Sequence, residues 1–308
     1  MKILSPVVLF VYNRPWHTKC TVEALQVNNL SEHSELIIFA DGPQKDGKNE
    51  DEINRIQEVR HYIKHITGFR SVKIIESNVN LGLAASIING LNQVLQLHET
   101  VIVLEDDLVT APFFLEYMNN GLNIYAHNDQ VISLHGYSYP IDGLPANFFL
   151  KGADCWGWAT WKRGWELFEG DGLKLLEQLK SKKLLRRFDF NGTYNYTKML
   201  INQIEGKNDS WAIRWYASAL IRDKLTLYPG KSLIRNIGLD GSGRHCRNNS
   251  QFNTIKFEKK FIGKKIPVEE NTEAFRKFQD FFSGQNTSGH DKVFWNRVKY
   301  AIRGLCSK

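Results

Sequence analysis

Short apolar runs alternate with longer amphipathic segments through the first half of the chain. The runs are rich in β-branched residues, as in strands buried on both faces of a parallel sheet, and they span Val7–Val11, Leu36–Ala40, Val72–Ile75, Val101–Leu104 and Val131–Leu134. The segments between them carry apolar residues at helical spacing, as in the stretch 50–66. Strands that alternate with such helices form βαβ units, so the pattern predicts an α/β fold with a mainly parallel central sheet flanked by helices.

The pattern is less regular in the second half. The stretch 136–150 is typical of a long loop, and the segment 155–161 that follows is rich in tryptophan. Two apolar runs flank Pro229-Gly230, which predicts a small C-terminal hairpin formed by 225–228 and 232–237. Helices are expected at 173–187, at 194–205 and from Trp211 onwards, with Asp209 or Ser210 as the cap of the last one.

Beyond about residue 250 the chain is polar and basic. A final helix is expected to carry a narrow apolar stripe among lysines and arginines, formed by Phe294, Val298, Ile302 and Leu305. We therefore expect one domain over residues 1–250 and a basic C-terminal extension over 251–308. An apolar stripe between cations suits peripheral contact with an anionic membrane.

Composition excludes some classes of protein. The 308 residues are 42% hydrophobic, enough for a sizeable core. The four cysteines are scattered without a CxxC pair, which argues against zinc and disulfides and favours a cytoplasmic location. The net charge of +7 would suit nucleic acid, but no zinc-knuckle spacing or RNA-binding aromatic box is present, so no nucleic-acid partner is expected. The first apolar run is too short for a membrane span and lacks a cleavage site, so it is interpreted as a strand.

Three consecutive carboxylates follow the fourth apolar run. Glu105, Asp106 and Asp107 come directly after Leu104, at the end of a predicted buried strand. In open α/β sheets ligands bind in the crevice beyond the carboxyl ends of the strands. Like charges at such a position raise the free energy unless a cation or hydrogen-bond donors compensate them. A solvated acidic turn is the alternative interpretation.

Polar residues also follow the other predicted strands. Asn13 and Arg14 follow the first strand, Asp41 the second and Asn80 the third. Neither a Walker A loop nor a GxGxxG motif is present, so a glycine-rich cradle does not hold phosphates. A divalent cation of the Mn²⁺ or Mg²⁺ type, bound by carboxylates together with substrate phosphates, is the other common solution. The sequence therefore suggests a site for a nucleoside diphosphate and a metal.

The decapeptide from Glu105 to Phe114, with the letters EDDLVTAPFF, resembles a motif of glycosyltransferases of the GT-A fold. Within that group it resembles the N-acetylglucosaminyltransferase that begins N-glycan branching and bacterial sugar transferases of family-two type. The resemblance covers roughly residues 3–246 and implies a Rossmann-like GT-A domain. It also implies that Asp107 binds Mn²⁺ or Mg²⁺, that Asp106 contacts the ribose and that Glu105 lies near the donor sugar.

The resemblance further implies that Arg14 and Asp41 contact the nucleotide, and the positions of other polar residues after the strands suggest additional contacts. Nucleotide or donor contacts are assigned to Asn13, Arg14, Asp41, Asn80, Ser86 and Trp158, with Asp41 at the base and Trp158 as a stacking or core residue. The catalytic aspartate of the relative follows a tryptophan, whereas Ala212 stands in that place here. Asp209 is the nearest carboxylate and is our candidate for the base. His245 is a candidate ligand of the metal.

These assignments predict a metal-dependent inverting glycosyltransferase. It would move a sugar from a nucleotide sugar, with UDP as the expected nucleotide, to a hydroxyl of a glycan or lipid-linked acceptor in bacterial surface polysaccharide synthesis. A nucleotidyltransferase acting on sugar phosphates is one alternative, although such enzymes usually carry a glycine-rich basic loop after the first strand. An inactive homologue that binds sugar nucleotides is another alternative, because the position of the base is altered.

Overall fold

The computed structural model describes residues 4–45, 49–238 and 265–287. The strands are β1 (Val7–Val11), β2 (Glu35–Ala40), β3 (Ser71–Glu76), β4 (Thr100–Glu105), β5 (Leu108–Thr110), β6 (Val131–His135), β7 (Asn147–Lys151), β8 (Trp158–Trp161), β9 (Leu225–Pro229) and β10 (Ile234–Asn236). The α-helices are α1 (Pro15–Gln26), α2 (Glu50–Ile63), α3 (Leu83–Val94), α4 (Phe114–Ile124), α5 (Lys162–Trp165), α6 (Gly172–Ser181), α7 (Leu185–Phe188), α8 (Tyr196–Ile204), α9 (Trp211–Ile221) and α10 (Thr272–Thr287).

Eight of these strands form one sheet in the order β3-β2-β1-β4-β8-β6-β9-β7. The first four strands of this order are parallel to one another. β8 is antiparallel to both β4 and β6, β9 is parallel to β6, and β7 is antiparallel to β9. All five residues of β1 are buried, as a strand covered by helices on both faces requires. The predicted α/β fold with a mainly parallel sheet flanked by helices is confirmed.

The predicted C-terminal hairpin is wrong. β9 joins the large sheet between β6 and β7, whereas β10 pairs with β5 in a separate two-stranded sheet. The turn after β9 is held by other parts of the chain, because Gly230 N donates to Ala146 O at 2.8 Å and Leu233 N donates to Gly136 O at 2.8 Å. The chain therefore leaves the large sheet after Pro229 and runs to the turn that follows β4.

The tryptophan-rich segment forms a core strand. Trp158, in β8, is only 1% exposed, and its ring stacks on Trp211 with centroids 5.5 Å apart and lies 5.8 Å from the ring of Trp215. The positive φ of Gly157, +62°, brings the chain into this strand in a conformation that favours glycine. The assignment of Trp158 to the donor pocket is corrected, because a ring enclosed by other tryptophans has no face left for a nucleotide.

Part of the predicted extension belongs to the packed body. Phe275, Phe278 and Phe282 of α10 are buried in a cluster that includes Phe148 of β7 and Tyr216 of α9. The proposed boundary at residue 250 therefore does not separate 265–287 from the rest of the fold. The final helix with its apolar stripe lies outside the described residues. Within the described ranges no helix is long and apolar enough to cross a membrane.

Candidate functional site

The acidic triplet lies in a tight turn between two strands. Glu105 ends β4, and Asp106 and Asp107 form the turn that leads into β5. The backbone of this turn is fixed from two sides, because Thr21 Oγ1 donates to Asp106 O at 2.8 Å and Ile237 N donates to Asp107 O at 2.9 Å. The turn lies beyond the carboxyl end of a central strand, where the sequence places it.

Arg14 is the cation of this turn. Its Nη1 lies 2.8 Å from Asp107 Oδ2 and 3.4 Å from Asp106 Oδ1. Pro15, the first residue of α1, ends the loop after β1, so the guanidinium projects from a short and restricted segment. Gly238 also packs closely here, since a Cβ built on it would lie 1.9 Å from Asp107 Oδ2. Arg14, Asp106 and Asp107 therefore lie close together, as predicted from their positions after neighbouring strands.

Three consecutive carboxyl groups lie near the guanidinium of Arg14, the one cation that the described residues place against them. Burial, followed by the charges of Asp107 and Asp106, raises the pKa of Glu105 to about 8. Burial and the charge of Asp107 likewise raise the pKa of Asp106 to about 7, although Arg14 opposes the shift. Arg14 therefore compensates only part of the negative charge, and the site favours additional positive charge.

The donor set fits a hard divalent cation. Within residues 4–45, 49–238 and 265–287, no three or more histidine, cysteine, aspartate or glutamate side chains surround a common point as metal ligands. Sites for Mg²⁺ often need only one or two protein carboxylates, because water and substrate phosphates supply the other ligands. Asp107, with Asp106 beside it, meets that requirement. His245, the other candidate ligand, lies outside the described residues.

The raised pKa values predict a pH dependence of stability. A carboxyl group with a higher pKa in the folded than in the unfolded state destabilises the fold as the pH rises. For Glu105 this loss extends from its ordinary pKa of 4.5 to about 8. Without divalent cations, the melting temperature of Glu105→Gln should therefore fall less steeply between pH 5 and pH 8 than that of the wild type. The measurement is differential scanning fluorimetry in EDTA. If the melting temperatures of the two proteins fell equally steeply with pH, Glu105 would not have the raised pKa inferred here.

Asp41 and Asn80 tie two loops together. The carboxylate of Asp41 accepts from Gly42 N and Leu81 N at 2.9 Å each and from Gly82 N at 3.1 Å. Asn80 Nδ2 donates to Gly42 O at 3.1 Å. Both side chains thus hold the loop before α3 against the end of β2. Their predicted contacts with a nucleotide stay a prediction, and the observed bonds give them a structural role.

Asn13 and Ser86 occupy different places around the same edge of the sheet. Asn13 is partly buried and immediately precedes Arg14 after β1. Ser86 lies in the first turn of α3, and its Oγ is buried with no hydrogen-bond partner in the part of the chain that the structure describes. The predicted donor contacts of both residues stay predictions.

Asp209 lies directly before the N-terminal end of α9. Its side chain is 65% exposed, and Oδ1 accepts from Arg214 Nη2 at 3.2 Å. Ser210 is the cap of the helix, because its Oγ accepts from Ile213 N at 3.3 Å. The stacking of Trp211 on Trp158 places this end of α9 over β8, which pairs with β4 at Val103. Asp209 is therefore an exposed carboxylate that does not cap α9.

Similarity to known proteins is weak. No family profile matches the chain. A Sulfolobus acidocaldarius protein, named provisionally as a mannose-1-phosphate guanyltransferase, is 26% identical over 214 residues, which cover 67% of this chain and 57% of that protein. Two structures of glucosyl-3-phosphoglycerate synthase from Mycobacterium tuberculosis with Mn²⁺ and UDP, one also with glucosyl-3-phosphoglycerate and one with phosphoglyceric acid, are 12% identical over 58% of this chain. The match covers 66% and 65% of those two chains. The TM-scores of 0.32 and 0.33 are too low to establish a common fold.

Sequence reasoning missed two groups near the triplet. Tyr12 Oη donates to Glu52 Oε1 at 2.6 Å, and the Tyr12 backbone hydrogen-bonds to Asp106, which lowers the pKa of that carboxyl. Asp154, between β7 and β8, is a carboxylate surrounded by tyrosines. The feature of the sequence that could have pointed to Tyr12 is its position immediately before Asn13 at the end of β1. The signal for Asp154 was an acid within a strongly aromatic segment.

Proposed function

We propose that this protein is a metal-dependent, inverting glycosyltransferase of the GT-A type. It moves a sugar from a nucleoside diphosphate sugar, with UDP as the expected nucleotide, to a hydroxyl of a glycan or lipid-linked acceptor. Bacterial surface polysaccharide synthesis is the proposed context. Peripheral contact with an anionic membrane would depend on the basic residues beside the apolar stripe of the final helix, which lie outside the described residues.

One observation carries the proposal. The carboxylates of Glu105, Asp106 and Asp107 lie at the end of a central strand, where Arg14 is the one cation that the described residues pair with them, and burial raises the pKa of the first two. A solvated acidic turn would not show such shifts, because water would stabilise the charges. The arrangement suits a ligand that brings a divalent cation and phosphate oxygens together.

The side chains of the site divide the chemistry among them. Asp107, together with Asp106, would hold Mn²⁺ or Mg²⁺, which when bound offsets the charge of the departing diphosphate. Arg14, which lies after β1 and contacts the acidic turn, is placed to donate hydrogen bonds to phosphate oxygens. Asp209 would take the proton of the acceptor hydroxyl, since it is the exposed carboxylate before α9. One base opposite the leaving group implies inversion at the anomeric carbon.

A nucleotidyltransferase acting on sugar phosphates is the second candidate. The similarity to the provisionally named guanyltransferase of Sulfolobus acidocaldarius favours it, at 26% identity over 214 residues. The loop after β1 argues against it, because Asn13-Arg14-Pro15 lacks the glycine-rich basic sequence usual in that class. The products separate the two, since a glycosyltransferase releases a nucleoside diphosphate and a nucleotidyltransferase releases or consumes pyrophosphate.

The nucleotide can be identified by thermal shift. We expect UDP to raise the melting temperature by several degrees in the presence of Mn²⁺, and GDP, CDP and CMP to do so less. A ligand at a hundred times its dissociation constant adds about 2.7 kcal/mol to the free energy of unfolding. The same panel without Mn²⁺, and with Asp107→Asn, should show little shift.

The other outcomes of this panel are equally informative. A shift with GDP alone would move the proposal to a guanosine nucleotide. A shift that is the same in Asp107→Asn would remove the acidic triplet from the site. No shift with any nucleotide would leave the triplet as a turn and overturn the proposal.

A further inference from the structure

Asp154 is a carboxylate that forms no ion pair within the described ranges of the chain. It lies in the connection between β7 and β8 and is partly exposed. Its Oδ2 accepts from Tyr228 Oη at 2.7 Å, and no other hydrogen bond to this side chain comes from the described residues. Burial raises its pKa to about 6, and no lysine or arginine side chain in the described part of the chain offsets that shift. Oδ1 is therefore left to accept hydrogen bonds from a ligand.

Aromatic side chains surround this carboxylate. Burial, and after it the charge of Asp154, raises the pKa of Tyr139, Tyr194 and Tyr196. The three side chains are partly exposed. Tyr139 continues into a row of rings, because its centroid lies 5.3 Å from that of Tyr137 and Tyr137 lies 4.9 Å from Trp156. A single carboxylate among partly exposed rings is a suitable environment for a polyhydroxylated ring with apolar faces.

This environment adjoins the acidic triplet. β8 is antiparallel to β4 with Trp158 opposite Val103, so the residues just before β8 run beside the residues just after Val103. Cys155 reflects this proximity, because its pKa is raised by burial and then by the charges of Glu105, Asp154 and Asp107. A ligand held at Asp154 would therefore lie next to the proposed donor site.

The charge of the surroundings limits the chemistry of that ligand. A phosphorylated or carboxylated acceptor would bring its negative charge next to the carboxylate of Asp154, whose Oδ2 is held by Tyr228 Oη. An anion beside this carboxylate would be repelled, whereas hydroxyl groups would donate to it.

We propose that Asp154, Tyr228 and the partly exposed ring of Trp156 form a binding site for a neutral sugar unit of the acceptor. The carboxylate accepts hydrogen bonds from sugar hydroxyls, and the indole ring of Trp156 packs on the apolar face of the sugar. Tyr228 acts as a positioning residue, because its hydroxyl fixes the orientation of the carboxylate. The inference rests on the proposed function and narrows its acceptor to an uncharged sugar.

Saturation-transfer NMR with simple probes tests this site. Methyl glycosides of glucose, galactose, mannose and N-acetylglucosamine, and 3-phosphoglycerate, would each be added to the protein with UDP and Mn²⁺. We expect at least one glycoside to bind and 3-phosphoglycerate not to bind. Asp154→Asn should weaken glycoside binding by on the order of tenfold or more, since it removes a hydrogen bond to a charged acceptor. Tyr228→Phe, which keeps the ring, should weaken it by a smaller factor.

Asp129→Asn is the matched control. Asp129 lies before the first residue of β6, at the opposite edge of the sheet from the triplet, and its side chain is 87% exposed. Glycoside binding should equal that of the wild type in this variant. Unchanged binding in Asp154→Asn, binding of 3-phosphoglycerate in preference to the glycosides, or binding of no glycoside would overturn the inference.

The same samples separate this inference from the proposed function. A UDP shift that depends on Mn²⁺, without glycoside binding, would overturn the acceptor site alone. Glycoside binding that is lost in Asp154→Asn, without any nucleotide binding, would overturn the glycosyltransferase and leave a sugar-binding site.

Discussion

Asp107→Asn is expected to lower sugar transfer by about a thousandfold or more while the protein stays folded. A bound metal supplies several kcal/mol of stabilisation to the transition state, and each 1.36 kcal/mol corresponds to a factor of ten in rate. The amide keeps the shape of the side chain but loses the charge that would hold the cation and that now pairs with Arg14. The measurement is the turnover rate with the nucleotide sugar that the thermal-shift panel identifies.

Stability provides the control for this variant. Asp107 contributes to the raised pKa of both Glu105 and Asp106, so removing its charge relieves repulsion as it breaks the pair with Arg14. The melting temperature in EDTA should therefore stay close to that of the wild type. Turnover near the wild-type rate in a folded Asp107→Asn protein would remove this residue from the metal site.

Asp209→Asn is expected to lower the turnover rate by roughly 10²–10⁴-fold, the usual contribution of a general base. The side chain is 65% exposed and Ser210 caps the helix, so the substitution should leave the fold intact. Donor binding should not change, because the proposed donor contacts lie at the triplet and around Arg14. The measurements are kcat in the transfer assay and the UDP–Mn²⁺ thermal shift on the same samples.

Ser210→Ala is the matched control for Asp209→Asn. It removes the cap of α9, which costs about 1 kcal/mol of stability, but it leaves the candidate base in place. We expect a lower melting temperature with a nearly normal kcat, the opposite of the result for Asp209→Asn. A nearly normal kcat in Asp209→Asn would exclude it as the base and direct attention to Glu105.

The sequence predicts the first half of the fold well because the information there is local. Buried β-branched runs such as β1 and β4 and the helices between them can be recognised from periodicity alone. The second half depends on pairings between distant residues, such as β10 with β5 and β8 between β4 and β6. The chain does turn after Pro229, but hydrogen bonds to Ala146 and Gly136 direct the following residues away from β9, so no hairpin forms.

The candidate site was predictable where residue type and position agree. Arg14 and the triplet follow neighbouring parallel strands, so their meeting could be expected from the topology. Asp41 could not be distinguished from a ligand-binding acid, because only the structure shows backbone amides around its carboxylate. Trp158 was ambiguous for the same reason, since an aromatic residue suits either a pocket or a core.

The helix α10 and the segment before it also bear on self-association of the protein. β7 is the last strand of the large sheet, and its outer edge is covered by the segment before α10, where Asn271 N donates to Phe149 O at 2.9 Å and Glu270 accepts from Lys151 N at 3.0 Å. An uncovered edge strand offers unpaired backbone groups to another chain and promotes aggregation. A chain cut at residue 250 would expose this edge together with the apolar surface under Phe275, Phe278 and Phe282. We therefore expect a chain without residues 265–287 to self-associate more readily than the full chain.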